Sequence, residues 1–119
     1  MEQEQLRLPM LTVYAGPRLV SLEVVDACRS YRAAVRACWE LRTRRNLTQV
    51  RLAEEAGLYA SHVSDYLSTR SNKRNLPAEK INDFELACGN RMVSQWLARQ
   101  AHLTILEQFI APPAARAAA

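Results

Sequence analysis

The chain has 119 residues, of which 49% are hydrophobic and 24% are charged. This length corresponds to one domain and excludes a multi-domain enzyme. With only 3 Gly and 5 Pro, the composition is that of a chain that buries an ordinary core, which excludes a disordered protein. Sixteen Lys and Arg against 12 Asp and Glu give a net charge of +4. Only Lys73 and Lys80 are lysines, and the forked guanidinium of arginine favours contacts to phosphate or carboxylate.

The sequence indicates neither a membrane span nor a secretion signal. No apolar run approaches the ~18 residues that a span needs. The acidic and polar residues 1–5 differ from the basic start of a signal peptide. We therefore expect a cytoplasmic protein that has no membrane partner.

The cysteines and histidines do not have the spacing of a metal site. The cysteines are odd in number and form no C-x-x-C motif: Cys28, Cys38 and Cys88. His62 and His102 lie 40 residues apart. We expect reduced, buried thiols rather than a disulfide framework, and neither a metal nor a cofactor.

The first part of the chain divides into an arm and a long helix. Residues 1–18 contain Pro9, Gly16 and Pro17 and are interpreted as a loose N-terminal arm or a short edge strand. Apolar residues then recur at alternating steps of four and three: Val20, Val24, Ala27, Tyr31, Ala34, Cys38 and Leu41. This pattern predicts one long amphipathic helix over residues 19–44.

The next segment predicts two short helices that meet across a tight turn. Thr48 can cap a helix over residues 49–56, and Gly57 permits a sharp exit. Ala60 or Ser61 then opens a second helix that extends to Leu67. Apolar or small residues stand where such a pair must pack: Leu52, Ala53, Ala56, Leu58, Val63 and Leu67. This is the spacing of a helix-turn-helix.

The rest of the chain predicts two further helices and a tail. After a polar loop over residues 68–75, Pro77 begins a helix to about Cys88 that Gly89 ends, with Ile81, Phe84, Leu86 and Cys88 on its apolar face. Asn90 can cap a helix to about Ala101 in which Val93, Trp96 and Leu97 point inward. Residues 103–110 are apolar, and residues 111–119 form a flexible tail after Pro112 and Pro113.

These elements predict an all-α fold, a compact bundle of about five helices with a long N-terminal amphipathic helix. The expected organisation is an arm (1–18), a helix-turn-helix domain (19–102), an oligomerisation segment (103–110) and the tail (111–119). Basic residues bracket the helix pair in sequence. Seven arginines stand against Glu40 alone on the N-terminal side: Arg29, Arg32, Arg36, Arg42, Arg44, Arg45 and Arg51. The loop after the pair adds Arg70, Lys73 and Arg74.

The helix pair resembles a known family. Residues 48–67, about a sixth of the chain, resemble the helix-turn-helix of the Cro/CI-type phage repressors without a gap. Residues 76–89 and 95–98 are similar, over a shorter stretch, to the region after the motif in phage CII-like regulators. Two residues depart from the family pattern: Ala60 replaces a frequent long amide, and Tyr59 replaces a small residue of the turn.

The resemblance implies a DNA-binding regulator of transcription, of phage or prophage type, that places the second motif helix in the major groove. The implied base-reading candidates are Ala60, Ser61, His62, Ser64 and Asp65. Gln49 would brace that helix and touch phosphate. Because affinity for DNA comes largely from neutralised phosphates, the phosphate candidates are Arg44, Arg45, Thr48, Gln49, Arg70, Lys73 and Arg74.

The expected partners are a double-stranded DNA operator, a second copy of the chain and, as a further candidate, RNA polymerase. A homodimer or higher oligomer is expected because one helix in one groove reads only a few base pairs. Its interface is predicted in residues 103–110 with Trp96, and the stripe over residues 20–41 is the other candidate. Two other classes stay open: a protein-binding module of the antitoxin or anti-repressor sort, and a small helical enzyme or metal carrier. No nucleophile accompanies Glu54 and Glu55, and the sequence favours a protein without catalysis.

Overall fold

The computed structural model describes residues 16–102, and this part of the chain is built from six α-helices. In chain order they are α1 (Leu22–Ala27), α2 (Tyr31–Glu40), α3 (Gln49–Ala56), α4 (Ala60–Tyr66), α5 (Ile81–Cys88) and α6 (Met92–Ala101). A 3₁₀ turn at Ala78–Lys80 leads into α5. The predicted all-α class is confirmed for these residues. Most of the arm (1–15) and the segments 103–110 and 111–119 lie outside the described residues.

The predicted single helix over residues 19–44 is wrong, because the chain leaves the helical conformation between α1 and α2. Ser30 has extended backbone angles, and its Oγ accepts a hydrogen bond from Ala33 N at 3.0 Å. A side chain that caps the second helix thus replaces the continuous turn that the apolar pattern predicted. The buried face also shifts by one residue, since Val25 is fully buried whereas Val24 is 40% exposed.

The two predicted ends of α3 are confirmed. Thr48 Oγ1 accepts a hydrogen bond from Arg51 N at 3.1 Å, which satisfies a free donor of the first turn. Gly57 adopts a left-handed conformation with φ +68°, and Leu58 N then donates to Ala53 O at 2.8 Å. A residue without Cβ takes this conformation at little cost, so the chain reverses into α4 after three residues.

The core lies where α2 packs against α4, α5 and α6 and where α3 packs against α4 and α5. The largest fully buried apolar side chains come from all six described helices: Val25, Val35, Leu52, Val63, Phe84, Met92 and Val93. Two inward predictions are wrong, because Leu86 is 52% exposed and Leu97 is 38% exposed. Glu85 and Ala87 lie on the buried face of α5 instead.

The junction of α5 and α6 contains two buried polar side chains. Glu85 Oε1 and Oε2 accept from Ser94 Oγ and Ser94 N, both at 2.7 Å, and Arg91 Nη1 donates to Oε1 at 3.1 Å. Asn90 Oδ1 accepts from Met92 N at 3.1 Å and Asn90 Nδ2 donates to Cys38 O at 3.0 Å, but the N-cap residue of α6 is Arg91 rather than the predicted Asn90. These bonds satisfy the first donors of α6 in a largely buried region.

Helix α6 also packs against α1 and fixes the turn between α1 and α2. Trp96 Nε1 donates to Cys28 O at 3.0 Å, and its ring lies 6.4 Å from the ring of Tyr31. Trp96 is therefore bound within its own chain, which argues against its predicted place in an interface between subunits. Within residues 16–102, the longest helices have 10 residues, and none could cross a lipid bilayer.

Candidate nucleic-acid interface

Helix α4 exposes one face of small residues. Ala60, Ser61 and Ser64 are exposed, while Val63 and Tyr66 are buried on the opposite side of the helix. Residues three and four positions apart lie side by side on a helix, so the exposed three form one continuous surface, here called the α4 face. Three of the five predicted base-reading residues are thus brought together in the open.

His62, another predicted base-reading residue, is half-buried in a row of aromatic rings. Its ring centroid lies 5.1 Å from that of Tyr59 and 6.3 Å from that of Tyr66, and both ring pairs meet at steep angles. Tyr66 is buried, but Tyr59 is 74% exposed. Edge-to-face contacts of this kind restrict a ring to few orientations. Tyr59 therefore belongs to the same surface, and its exposure was not predicted.

Asp65 is paired rather than open. Its Oδ2 lies 3.2 Å from Nε of Arg74, and the Asp65 side chain is only 26% exposed. The carboxylate at the end of α4 is therefore neutralised by a cation from the following loop. One predicted base-reading residue and one predicted phosphate contact bind each other, which weakens both assignments.

The basic residues before and within α3, here called the N-terminal basic group, are Arg42, Arg44, Arg45 and Arg51. Arg44 donates to Glu55 Oε2 at 3.0 Å and to Ala87 O at 2.9 Å, and Arg51 Nε donates to Glu55 Oε2 at 3.1 Å. Hydrogen bonds from these two guanidinium groups lower the pKa of Glu55 to about 2. Arg44 therefore joins α3 to α5 rather than pointing freely to a ligand.

Arg42 is also bound within the fold, whereas Arg45 is open. Arg42 donates to Leu47 O at 3.1 Å and to Trp39 O at 3.0 Å, and its guanidinium carbon lies 4.0 Å from the centroid of the Trp39 ring. Arg45 is exposed, and its side chain makes no hydrogen bond or ion pair with any residue from 16 to 102. Of this group, Arg45 remains available as a phosphate contact.

Thr48 and Gln49 lie at the start of α3. The Thr48 hydroxyl is an acceptor for Arg51 N in the helix cap, so the cap already uses part of its hydrogen-bonding capacity. Gln49 is the first residue of α3 and is exposed. Gln49 is thus placed where a side chain can reach a ligand that lies across the start of α3.

The loop between α4 and the 3₁₀ turn, residues 68–75, carries the other predicted cations. Arg70 and Lys73 are exposed, and within the described part of the chain neither side chain has a hydrogen-bond or ion-pair partner. This loop is fixed to α2. Tyr31 Oη donates to Leu76 O at 2.7 Å, and burial raises the pKa of Tyr31 to about 12, so the phenol stays protonated.

Two arginines of α2, counted in the sequence among the flanking cations, also hold this region. Arg36 Nε donates to Leu67 O at 3.3 Å, just after α4. The Arg32 guanidinium contacts the end of α4 and the loop together. Neither role could be assigned from sequence, because the accepting carbonyl groups lie more than 30 residues away.

Comparisons with known proteins do not indicate a function for this chain, so a function can be inferred only from its geometry. No family model matches the chain, and no curated protein and no solved structure matches it either. Among residues 16–102, no three His, Cys, Asp or Glu side chains form a group that could hold a metal ion. The described cysteines are free thiols, with Cys38 and Cys88 fully buried.

Proposed function

We propose that the protein binds double-stranded DNA in a sequence-specific way and regulates transcription, with α4 in the major groove. The observation that carries this proposal is the α4 face, a surface of Ala60, Ser61 and Ser64 beside a loop with two open cations. Small side chains let a helix approach base edges closely, and serine hydroxyls donate to or accept from them.

The electrostatic part of the proposal rests on Arg45, Arg70 and Lys73. Contacts to phosphate supply most of the affinity of such proteins but carry no sequence information. The loop with Arg70 and Lys73 directly follows α4, and the Asp65–Arg74 pair joins the two segments. That pair also removes a negative charge from the surface that would face the phosphates.

Two aromatic residues near the start of α4, Tyr59 just before the helix and His62 in its first turn, adjoin the α4 face. The exposed Tyr59 ring can pack against a sugar or a thymine methyl group, and it orients the His62 ring at 5.1 Å. The proposal includes a homodimer, because a helix of seven residues covers only a few base pairs and paired modules read two half-sites about 34 Å apart.

One observation favours the rival function, a module that binds another protein. Val50 on α3 is 61% exposed and Tyr59 is 74% exposed, so the helix pair presents two large apolar side chains. Aromatic anchors of this kind are enriched in protein interfaces. A protein partner held by such contacts would bind with little dependence on salt, unlike DNA.

The experiment that tests the proposal selects bound duplexes from a pool of random DNA. The wild-type protein should enrich one motif, and a palindromic motif would support the homodimer. Ser61→Asp places a carboxylate on the α4 face, in the first turn of the helix, where a negative charge does not disfavour folding. This variant should stay folded and enrich nothing.

The matched control is Ser21→Asp, which makes the same chemical change at the exposed residue before α1. It should enrich the same motif as the wild type. The proposal fails if the wild type enriches no motif, or if Ser61→Asp and Ser21→Asp select equally well.

A further inference from the structure

Arg32 contacts two separate segments of the chain. Its Nη1 donates to Asp65 O at 2.6 Å and to Ser68 O at 3.1 Å, at and just after the end of α4. Its Nη2 donates to Arg74 O at 2.9 Å and to Asn75 Oδ1 at 3.0 Å, at the far end of the loop. Tyr66 O and Lys73 O complete a set of six acceptors around one guanidinium.

The planar fork of arginine suits this arrangement. The two Nη atoms carry four N–H groups in fixed directions, so one side chain can bind two segments whose carbonyl groups converge on it. These acceptors include Asp65 O in the last turn of α4, which also accepts from Ser68 N at 3.2 Å; the carbonyl end of a helix favours a cation. The contacts therefore close the loop at both of its ends.

Apart from Arg32, few contacts hold the loop: the Asp65–Arg74 ion pair and the hydrogen bonds from Arg70 N to Ser68 Oγ and from Lys73 N to Arg70 O. Residues 69–75 are all exposed and contribute no side chain to the core. A polar, exposed segment of this kind is mobile unless hydrogen bonds fix its backbone. Tyr31 fixes the chain at Leu76, after the loop, but the backbone groups of residues 73 and 74 face Arg32.

We infer that Arg32 is a positioning residue that holds the loop of residues 68–75 against the end of α4, so that Arg70 and Lys73 meet the DNA backbone in a fixed place. This inference rests on the proposed function. A loop that is already ordered loses less conformational freedom on binding, so its cations contribute more to affinity. Arg32 itself does not touch DNA, because its donors are turned toward the chain.

The effect of Arg32 on the mobility of the loop can be measured without DNA. Trypsin cleaves after Arg70, Lys73 and Arg74, and cleavage requires a mobile backbone. With Arg32→Met we expect native-state cleavage in the loop to be at least about tenfold faster than in the wild type. The matched control is Arg29→Met, which removes the same charge just before α2, from a side chain without a partner in residues 16–102.

The consequence for DNA is tested by a double-mutant comparison on the full chain. In the wild type, Arg70→Ala with Lys73→Ala should lower affinity for the selected duplex about tenfold or more and reduce the salt slope by about two. In the Arg32→Met background the same two substitutions should lower this affinity less than about threefold, because the freed loop no longer holds these cations in place. If Arg32 only stabilised the fold as a whole, the two substitutions would lower affinity by the same factor in both backgrounds.

The outcomes separate the inference from the proposed function. Unchanged trypsin cleavage in Arg32→Met, or equal costs in the two backgrounds, overturns the inference alone. If the Arg70 and Lys73 substitutions cost nothing in the wild type, the proposed phosphate contacts of the loop are wrong, and the inference falls with them. Should Arg32→Met unfold, Arg32→Lys replaces it, since an ammonium keeps the charge but cannot span both segments.

Discussion

The N-terminal basic group and the loop of residues 68–75 look alike in sequence but differ in how the fold uses them. In the first group, Arg42, Arg44 and Arg51 bind carbonyl or carboxylate groups of their own chain. In the loop, Arg70 and Lys73 have no such partner among residues 16–102. The number of cations near a helix pair therefore does not measure how many can reach a ligand.

This difference has a structural origin. Residues 41–48 run between α2 and α3, where carbonyl groups at the end of α2 and in the segment itself lie within reach of a long side chain. Arginine binds such groups readily, since it has five donors and no acceptor. The loop instead receives its hydrogen bonds through its backbone, from Arg32, which leaves the side chains of Arg70 and Lys73 directed to solvent.

The largest expected effect comes from the removal of Glu85, the buried carboxylate that binds Arg91. Glu85→Ala removes the fully buried carboxylate that binds Arg91 and Ser94. The substitution leaves the two Ser94 donors without their buried acceptor, whereas Arg91 is 33% exposed and can turn to water, so we expect a loss of about 2–4 kcal/mol of stability. The free energy of unfolding in urea measures this loss.

The control for this prediction is Glu79→Ala, which removes an exposed carboxylate from the 3₁₀ turn before α5. It should change the free energy of unfolding by less than about 0.5 kcal/mol. Equal effects of the two substitutions would show that the Glu85 network does not stabilise the fold.

The next prediction is that Arg44 and Arg45, two neighbouring arginines of the N-terminal basic group, have different effects on stability and on DNA binding. Arg44→Ala should lower Tm, because it breaks the contacts that join α3 to α5, and it should leave the salt slope of DNA binding unchanged. Arg45→Ala should keep Tm and reduce that slope by about one, as the loss of one phosphate contact requires. A reversed result would contradict the contrast drawn between bound and open cations.

The smallest expected effect is a change in the stability of the fold at acidic pH. The pKa of Glu55 is lowered to about 2 from 4.5, chiefly by hydrogen bonds from Arg44 and Arg51. A group with a lowered pKa stabilises the fold above its unfolded-state value, and this contribution is lost as pH falls toward 2. Glu55→Gln should therefore lower Tm at pH 7 and flatten the loss of stability between about pH 4.5 and 2.

The neighbouring Glu54 is exposed and forms no ion pair with another described residue, so Glu54→Gln is the matched control. Its Tm should follow the wild-type pH profile. If Glu55→Gln also follows that profile, the two arginines are not held by Glu55 in solution.

Local signals in the sequence predicted the helix pair, because Thr48 and Gly57 act on their immediate neighbours. The break before α2 was missed since the apolar pattern continues through it, although Ser30 followed by Tyr31 is a cap signal. The buried position of Glu85 was missed because a carboxylate is usually exposed. Only the positions of Arg91 and Ser94, six and nine residues later, pointed to a network.

The site was predicted only in part, because it depends on contacts between distant segments. The exposed residues of α4 were candidates through the resemblance of the helix pair to a known family, but the pairing of Asp65 with Arg74 required the loop to fold back on the helix. Arg32 offered no local signal at all. Its acceptors lie between 33 and 43 residues away along the chain.

The central claim is that an open face of α4, framed by a few free cations, binds duplex DNA. The most direct test is the affinity of the wild-type protein for its selected duplex as a function of salt. With Arg45, Arg70 and Lys73 on phosphates, log K should fall with log salt at a slope of about −2.7 per protomer, or about 40-fold between 50 and 200 mM. An affinity that does not change with salt, or no binding at all, would contradict the account.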